Sequence, residues 1–448
     1  MSIFFFDFLL YSGVRQPFRV HHFFLYLKAI GIGLLAGSIV TGYRFILVYM
    51  TAGRWILSDA ARKNPILYFP VFAALIASAL LVGFIVYKYP MLKGSGIPQI
   101  KGGLRGFFKL SWFPELPLKF FGGLLTLGCG LSLGREGPSI QLGGLTACAV
   151  NKKFAKSGKE EDYLLTAGAA AGLTAAFNAP LSGVLFTFEE LRNRLTHTGL
   201  VTAILSCISA GIISEALMGQ LPVFSFTFPH MIPVKDYFLL IPLGIACGIF
   251  AVIFNRSLFL SQDLHSFIKK PLLRPLPAFL VTGILFVFFP LFLGSGHDLL
   301  QEIKAETFSI PVLLILILTK LLFTSLCYGS GSPGGIFLPL LMLGAIIGKS
   351  YELLLVDFFG YPHIYGSFFI ALGMTAFFSG VTKAPITGCV LIMEMTASLN
   401  HLIPLIIVAL TSYAVATYLG GTPVYDELLE RMLSERKKNG IYPGREVG

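Results

Sequence analysis

Gly134-Arg135-Glu136-Gly137-Pro138-Ser139 is the stretch on which the reading of this chain turns. Apolar sequence flanks it on both sides, with Phe120-Phe121-Gly122-Gly123-Leu124-Leu125 upstream and Ile140-Gln141-Leu142-Gly143-Gly144-Leu145 downstream. Arg135 and Glu136 therefore sit at or near membrane depth. An ionisable side chain there costs roughly 2.5 to 3.5 kcal/mol on insertion scales and usually marks an ion or proton path. The Gly and Pro residues around the pair break a helix, and broken backbone at membrane depth is tolerated only where it lines a cavity. A helix restarting at Pro138, a residue favoured in first turns, aims free N–H groups at that cavity. Such a terminus is an anion site by construction.

The rest of the chain agrees with a membrane setting. Its 448 residues are 55% hydrophobic and only 13% charged, with a mean hydropathy of +0.78, where a soluble domain carries about a quarter charged residues. The fold class expected is all-α and polytopic. Lys and Arg number 34 against 23 Asp and Glu, a net charge of +11; in a membrane protein this reads as basic loops on the cytoplasmic side rather than as nucleic-acid binding. The six cysteines, at 129, 148, 207, 247, 327 and 389, have no paired or metal-like spacing and read as small core residues. Residues 1–12 are apolar but lack a basic leader and a small-residue cleavage site, so they are expected along the membrane surface.

Apolar segments fall near 29–50, 67–89, 117–133, 138–150, 163–189 and 199–217, then near 236–260, 276–293, 310–327, 335–356, 365–395 and 402–419. Many are too short, or too interrupted by Gly and Pro, for simple spans of about 20 residues, so tilted and re-entrant helices are expected. An internal repeat is visible. Setting Pro180 on Pro385 aligns Ala179-Pro180-Leu181-Ser182-Gly183 with Ala384-Pro385-Ile386-Thr387-Gly388 and Glu189 with Glu394. Each copy follows a Gly/Pro-rich break, at Gly134–Pro138 and at Gly329–Pro339. The organisation expected is one transmembrane domain of two inverted repeats, approximately 30–217 and 236–425, with 426–448 as a cytoplasmic tail. Related halves with broken helices build a midplane site at their interface.

Three further features bear on that site. Gly94-Ser95-Gly96-Ile97-Pro98 opens a helix and places the Ser95 hydroxyl at its N-terminus, either for a small anion or as a plain N-cap. Gly334-Gly335-Ile336-Phe337 offers successive N–H groups beside bulky apolar side chains, suiting an anion kept dehydrated. Tyr425 stands either as a hydrogen-bond donor or as an interface anchor.

Together these residues resemble the CLC chloride channels and transporters. The resemblance rests on Gly94–Pro98, Gly134–Pro138, Gly335–Pro339, Ala167–Glu190 and the segment around Tyr425, and covers about residues 30–433. It implies a homodimer with an anion pathway in each subunit, transporting chloride and protons with no metal or organic cofactor. By resemblance, Ser95 and Tyr425 donate hydroxyls to a chloride together with the N–H groups of Ile336 and Phe337. Arg135, Gly137, Gly335 and Lys119 lie along the anion path, Lys119 acting through its charge. Glu136 is the gate, competing with chloride for the outer position. Glu190 matches the internal acid of the family's proton-coupled members, which favours exchange over the alternative, a passive voltage- or pH-gated channel. As a helix-end acid Glu190 would instead pair with Arg192 or Arg194, and Glu189 and Glu394 are expected in that structural role. Gln99 and Lys101 stand where relatives often carry acids, on the intracellular proton route. Ser95 itself, where relatives alternatively carry proline, favours chloride over nitrate.

An enzyme is not expected: there is no His-Glu-x-x-His, and the eight histidines are scattered. The absence of a regulatory domain after the tail suggests a multi-pass protein of a bacterial inner membrane, its C-terminus cytoplasmic.

Overall fold

The computed structural model describes residues 20–438, except 156, 193–195, 221–223, 225, 227, 229–231, 306–307 and 399–400. Residues 1–12 and the basic Arg445 lie outside the described residues. Helices account for the architecture. They are α1 (Val20–Lys63), α2 (Tyr68–Lys88), α3 (Ile97–Leu104), α4 (Trp112–Gly128), α5 (Glu136–Phe154), α6 (Gly158–Phe177), α7 (Pro180–Phe186) and α8 (His197–Met218). Then follow α9 (Leu240–Ser266), α10 (Leu276–Phe288), α11 (His297–Ala305), α12 (Ile310–Gly329), α13 (Phe337–Phe359), α14 (Gly366–Thr382), α15 (Pro385–Met395) and α16 (Leu402–Tyr418). A last helix, α17 (Val424–Lys438), closes the described chain.

Eight helical segments among the described residues are long and apolar enough to cross a bilayer. This is a multi-pass membrane protein. Helix α1 holds 44 residues, about 66 Å at 1.5 Å per residue, so it exceeds the hydrocarbon thickness and reaches well beyond the expected 29–50. Segments 163–189 and 365–395, each expected as one helix, are each broken in two. Asn178 (φ 56°) ends α6 and Lys383 (φ 64°) ends α14 in the left-handed region, and the prolines that open α7 and α15 lack the N–H a continuous helix needs. Helix α5 starts at Glu136, two residues before Pro138, which lies in its first turn. Of the expected tail, residues 426–438 continue α17, which packs on α3, and 439–448 lie outside the described residues.

The packing partners recur along the chain. Helix α5 lies on α6 as α13 lies on α14, and α1 meets α8 as α9 meets α16. Both central pairs approach at glycine: a Cβ at Gly143 would strike the carbonyl of Gly168, and one at Gly344 the carbonyl of Gly373. Small residues at such contacts are how helices pack closely in lipid, where no hydrophobic force drives helix onto helix. Four of the cysteines (207, 247, 327, 389) are buried in this packing, Cys129 and Cys148 are half-buried, and all six are free thiols.

Two acids tie the halves together. Glu189 accepts from Ile386 N at 3.2 Å, Thr387 N at 2.7 Å and Thr387 Oγ1 at 2.7 Å, at the start of α15. Glu394 accepts from Leu181 N at 2.9 Å, Ser182 N at 2.7 Å and the Ser182 hydroxyl, at the start of α7. Each carboxylate answers the orphan N–H groups and positive end of the other half's short helix. The structural role expected for these acids is observed, with helix caps as partners rather than arginines. Glu189→Ala and Glu394→Ala should each cost about 1–3 kcal/mol, since partly buried donors are left without acceptors, and should lower the thermal midpoint of the detergent-solubilised protein in a fluorescence unfolding assay.

Candidate functional site

The three glycine-rich signatures meet through their backbones. Gly134 N donates to Gly335 O at 2.6 Å and Gly335 N to Gly134 O at 2.7 Å. Gly334 N donates to Gly94 O at 3.0 Å, and Gly94 N to Gly331 O at 3.3 Å. Gly137 presses on Ser95, where an added Cβ would stand 2.7 Å from the serine Cβ. The breaks therefore satisfy one another's polar groups, as unbonded backbone at membrane depth must, and bring the starts of α3, α5 and α13 together. Lys119, fully buried, donates to Leu92 O at 3.0 Å and Gly94 O at 2.7 Å. Its ammonium braces the turn that presents Ser95 as well as contributing charge.

Ser95 Oγ accepts from Ile97 N at 3.3 Å and from Tyr328 Oη at 3.5 Å. Both bonds use its lone pairs, so its own proton remains to be given. Tyr425 is 0% exposed, which rules out an interface anchor. Its hydroxyl has no partner among the described residues. A buried hydroxyl without a partner costs free energy that a ligand recovers. Ile336 and Phe337, both 0% exposed, open α13. The Phe337 ring packs against Phe378 at 4.6 Å, Phe177 at 5.2 Å and Phe186 at 5.9 Å, and Phe186 meets Tyr425 at 6.3 Å. Donors set in an aromatic wall suit a small, dehydrated anion. Neither Tyr328 nor the phenylalanine cage was singled out in the sequence; Tyr328 directly precedes the Gly329–Gly331 break, the one local signal available.

Glu136 is fully buried, and neither of its carboxylate oxygens has a hydrogen-bond partner of ordinary geometry among the described residues. The carboxylate folds over Gly134: a Cβ there would collide with Oε2 and stand 3.2 Å from Leu338 N. It thus lies beside the first free N–H groups of α13. Arg135 is less close than adjacency suggests, with Nε 3.9 Å from Glu136 Oε1.

Glu190 follows α7 in a wide turn, Thr187–Arg192. Its Oε1 pairs with Lys101 Nζ at 2.8 Å, the side chains 4% and 1% exposed. Lys101 also meets Asp426 at 2.9 Å, which meets Arg105 at 3.1 Å. Arg192 instead lies over the Tyr163 ring at 4.8 Å, and Arg194 is outside the described residues. Gln99 Nε2 is held by Lys93 O at 2.7 Å. No group of three His, Cys, Asp or Glu able to hold a metal occurs among the described residues.

Residues 78–417 match the family model described as voltage gated chloride channel. The chain is 36% identical to the H(+)/Cl(-) exchange transporter ClcA of Vibrio cholerae over 440 residues, covering 95% of this chain and 92% of the relative. It is 34% identical to that of Salmonella arizonae over 420 residues, covering 92% and 89%. Among solved structures, a slow cyanobacterial Cl-/H+ antiporter superposes with a TM-score of 0.87 at 31% identity, over 92% of this chain and 99% of that one. A CLC-type fluoride/proton antiporter shares the fold, with a TM-score of 0.73 at 23% identity over 88% and 95%.

Tyr425→Phe, which keeps the ring and deletes the unpartnered hydroxyl, should weaken chloride binding about fivefold, the net value of one hydrogen bond of about 1 kcal/mol. Isothermal titration calorimetry of the purified protein reads this directly.

Proposed function

The chain belongs to the voltage gated chloride channel family, and we propose that it works as a secondary active transporter that exchanges chloride for protons across the membrane. The observation that carries this reading is the Glu136 carboxylate lying at the start of α13 beside Leu338 N, in the position an anion would take. A carboxylate and a chloride cannot share that position. Protonation neutralises the side chain and frees it for chloride; a chloride held there disfavours the negative carboxylate. The binding of the two ions is coupled in both directions. A pathway that never opens to both faces at once then moves them in opposite senses.

In this scheme Ser95, Tyr425 and the N–H groups of Ile336 and Phe337 hold the central chloride. Gly137 and Gly335 let the backbone come close enough to aim those donors, while Arg135 and Lys119 supply positive charge along the path. Glu190 passes protons toward Glu136 from the side of α17, and the ClcA relatives, which carry the exchanger name, support this over a passive channel. We propose further that the two halves are inverted repeats, approximately 30–217 and 236–425. The protein is a homodimer of a bacterial inner membrane, with the C-terminus cytoplasmic and no cofactor or enzymatic activity. Leu181 and Ile386, each 60% exposed on α7 and α15, offer an apolar face for a second copy.

Proteoliposomes clamped with valinomycin and given a chloride gradient but no pH gradient test the exchange. Uphill proton movement is expected, and it should vanish in Glu136→Ala and Glu190→Gln while chloride still flows. Chloride flux without proton movement in the unmodified protein would establish the channel instead. Gly134→Ala offers a separate check. Its Cβ collides with the far end of the Glu136 side chain and crowds Leu338 N at 3.2 Å and Pro339 Cδ at 3.3 Å by a few tenths of an ångström, so this variant should fold and carry more chloride per proton.

A further inference from the structure

The second half carries a copy of the turn that presents Ser95. Gly294-Ser295-Gly296 precedes α11 as Gly94-Ser95-Gly96 precedes α3. Gly94 and Gly96 have φ of 65 and 91°, Gly294 and Gly296 of 70 and 101°, values a side chain would strain. The lysine brace is copied too: Lys320 Nζ donates to Phe292 O at 3.3 Å and Gly294 O at 2.7 Å. The two turns lie on opposite faces. Lys93, next to the Ser95 turn, pairs with Glu435 of α17 at 3.3 Å at the Lys88 end of α2. Tyr68 at the other end of α2, about 30 Å away along its axis, meets Phe286 of α10, the helix that leads into Gly294.

In front of the Ser295 turn is a cavity of about 380 Å³ lined by Arg44, Arg54, Arg135, Ser295, His297 and Asp298, among others. Three arginines thus line the cavity with one carboxylate, Asp298, which already accepts from Trp55 Nε1 at 3.0 Å, while Glu136 stands 3.9 Å from Arg135. Arg44 is 7% exposed. Its NH1 donates to Ala175 O at 2.6 Å and Ser214 Oγ at 2.9 Å, leaving Nε without a partner among the described residues. The Arg54 guanidinium lies over the glycines beside the turn, 3.3 Å from a Cβ built on either Gly130 or Gly294. Arg135 Nε makes no hydrogen bond among the described residues, its nearest anion being the Glu136 carboxylate at 3.9 Å. Buried positive charge with unanswered donors is costly unless an anion joins it.

We propose that this cavity is a second anion site, separate from the one at Ser95 and Tyr425, and that its preferred occupant is a small tetrahedral oxyanion, inorganic sulfate or phosphate. The planar forks of Arg54 and Arg44 match oxyanion geometry, which a spherical halide does not exploit. The Ser295 hydroxyl and the first N–H groups of α11 complete the donors. The volume exceeds what a bare chloride fills. Leu338, whose N–H sits beside the Glu136 carboxylate, also lines the cavity, so an occupant stands between that face and the gate and slows exchange.

Trp55 is a built-in reporter through its bond to Asp298, and Trp112→Phe removes the other tryptophan. The purified Trp112→Phe protein is titrated with sulfate and with phosphate at constant chloride and ionic strength, gluconate balancing the anions. A saturable change in Trp55 emission is expected, with affinity about tenfold weaker in Arg54→Gln and recovered in part by Arg54→Lys, which restores charge without the fork. No saturable change, an equal response to added chloride, or an unaltered affinity in a folded Arg54→Gln protein would overturn the assignment. Ser295→Ala, a milder change, should weaken binding about threefold, as the loss of one hydroxyl donor predicts. External sulfate should also slow chloride-driven proton movement in proteoliposomes. That last arm rests on the exchange reading, whereas the fluorescence titration needs no transport and fails or succeeds independently of it.

Discussion

Every polar group of the backbone must find a partner when a helix breaks inside a bilayer, and the paired bonds between Gly134 and Gly335 meet that demand for both halves at once. The rest of the site follows from this two-residue bridge. It holds the starts of α5 and α13 side by side, so that the Glu136 carboxylate lies near Leu338 N. It also brings Gly334 to Gly94, and with it the Ser95 turn. Side chains larger than hydrogen at Gly134 or Gly137 would push Glu136 or Ser95 out of place. The signatures are glycine-rich because three backbones share one small volume.

Around the bridge, charge is used sparingly and in duplicate. Lys119 and Lys320 each clamp two carbonyls of a glycine turn, and Glu189 and Glu394 each cap the other half's short helix. The two buried lysines and the two half-buried acids are matched by backbone groups and hydroxyls rather than by oppositely charged side chains, which fixes their position. Glu190 differs. It is held by an ammonium, Lys101, which in turn binds Asp426, the residue next to Tyr425 on α17. The last helix therefore carries Tyr425 and, through Asp426 and Lys101, is linked to Glu190.

Much of this was legible in the sequence. The placement of Arg135 and Glu136 between apolar runs, the two Ala-Pro-x-(Ser/Thr)-Gly copies and the three glycine signatures marked membrane depth, duplication and anion chemistry. Those features are local, written in composition and order, and local chemistry can be read residue by residue. The breaks at Asn178 and Lys383 were harder to place, because an apolar run continues through each and only the following proline marks the end of the helix.

What the sequence alone determined was which residues could bear charge in a membrane and where helices had to start. Tertiary structure decided who faces whom. That Lys101 rather than Arg192 holds Glu190, that Tyr328 backs Ser95, and that Arg44, Arg54 and Arg135 gather before Ser295 are contacts between residues far apart in the chain. No spacing rule connects them, since each depends on where helices distant in the chain are placed once the glycine bridge has fixed the centre.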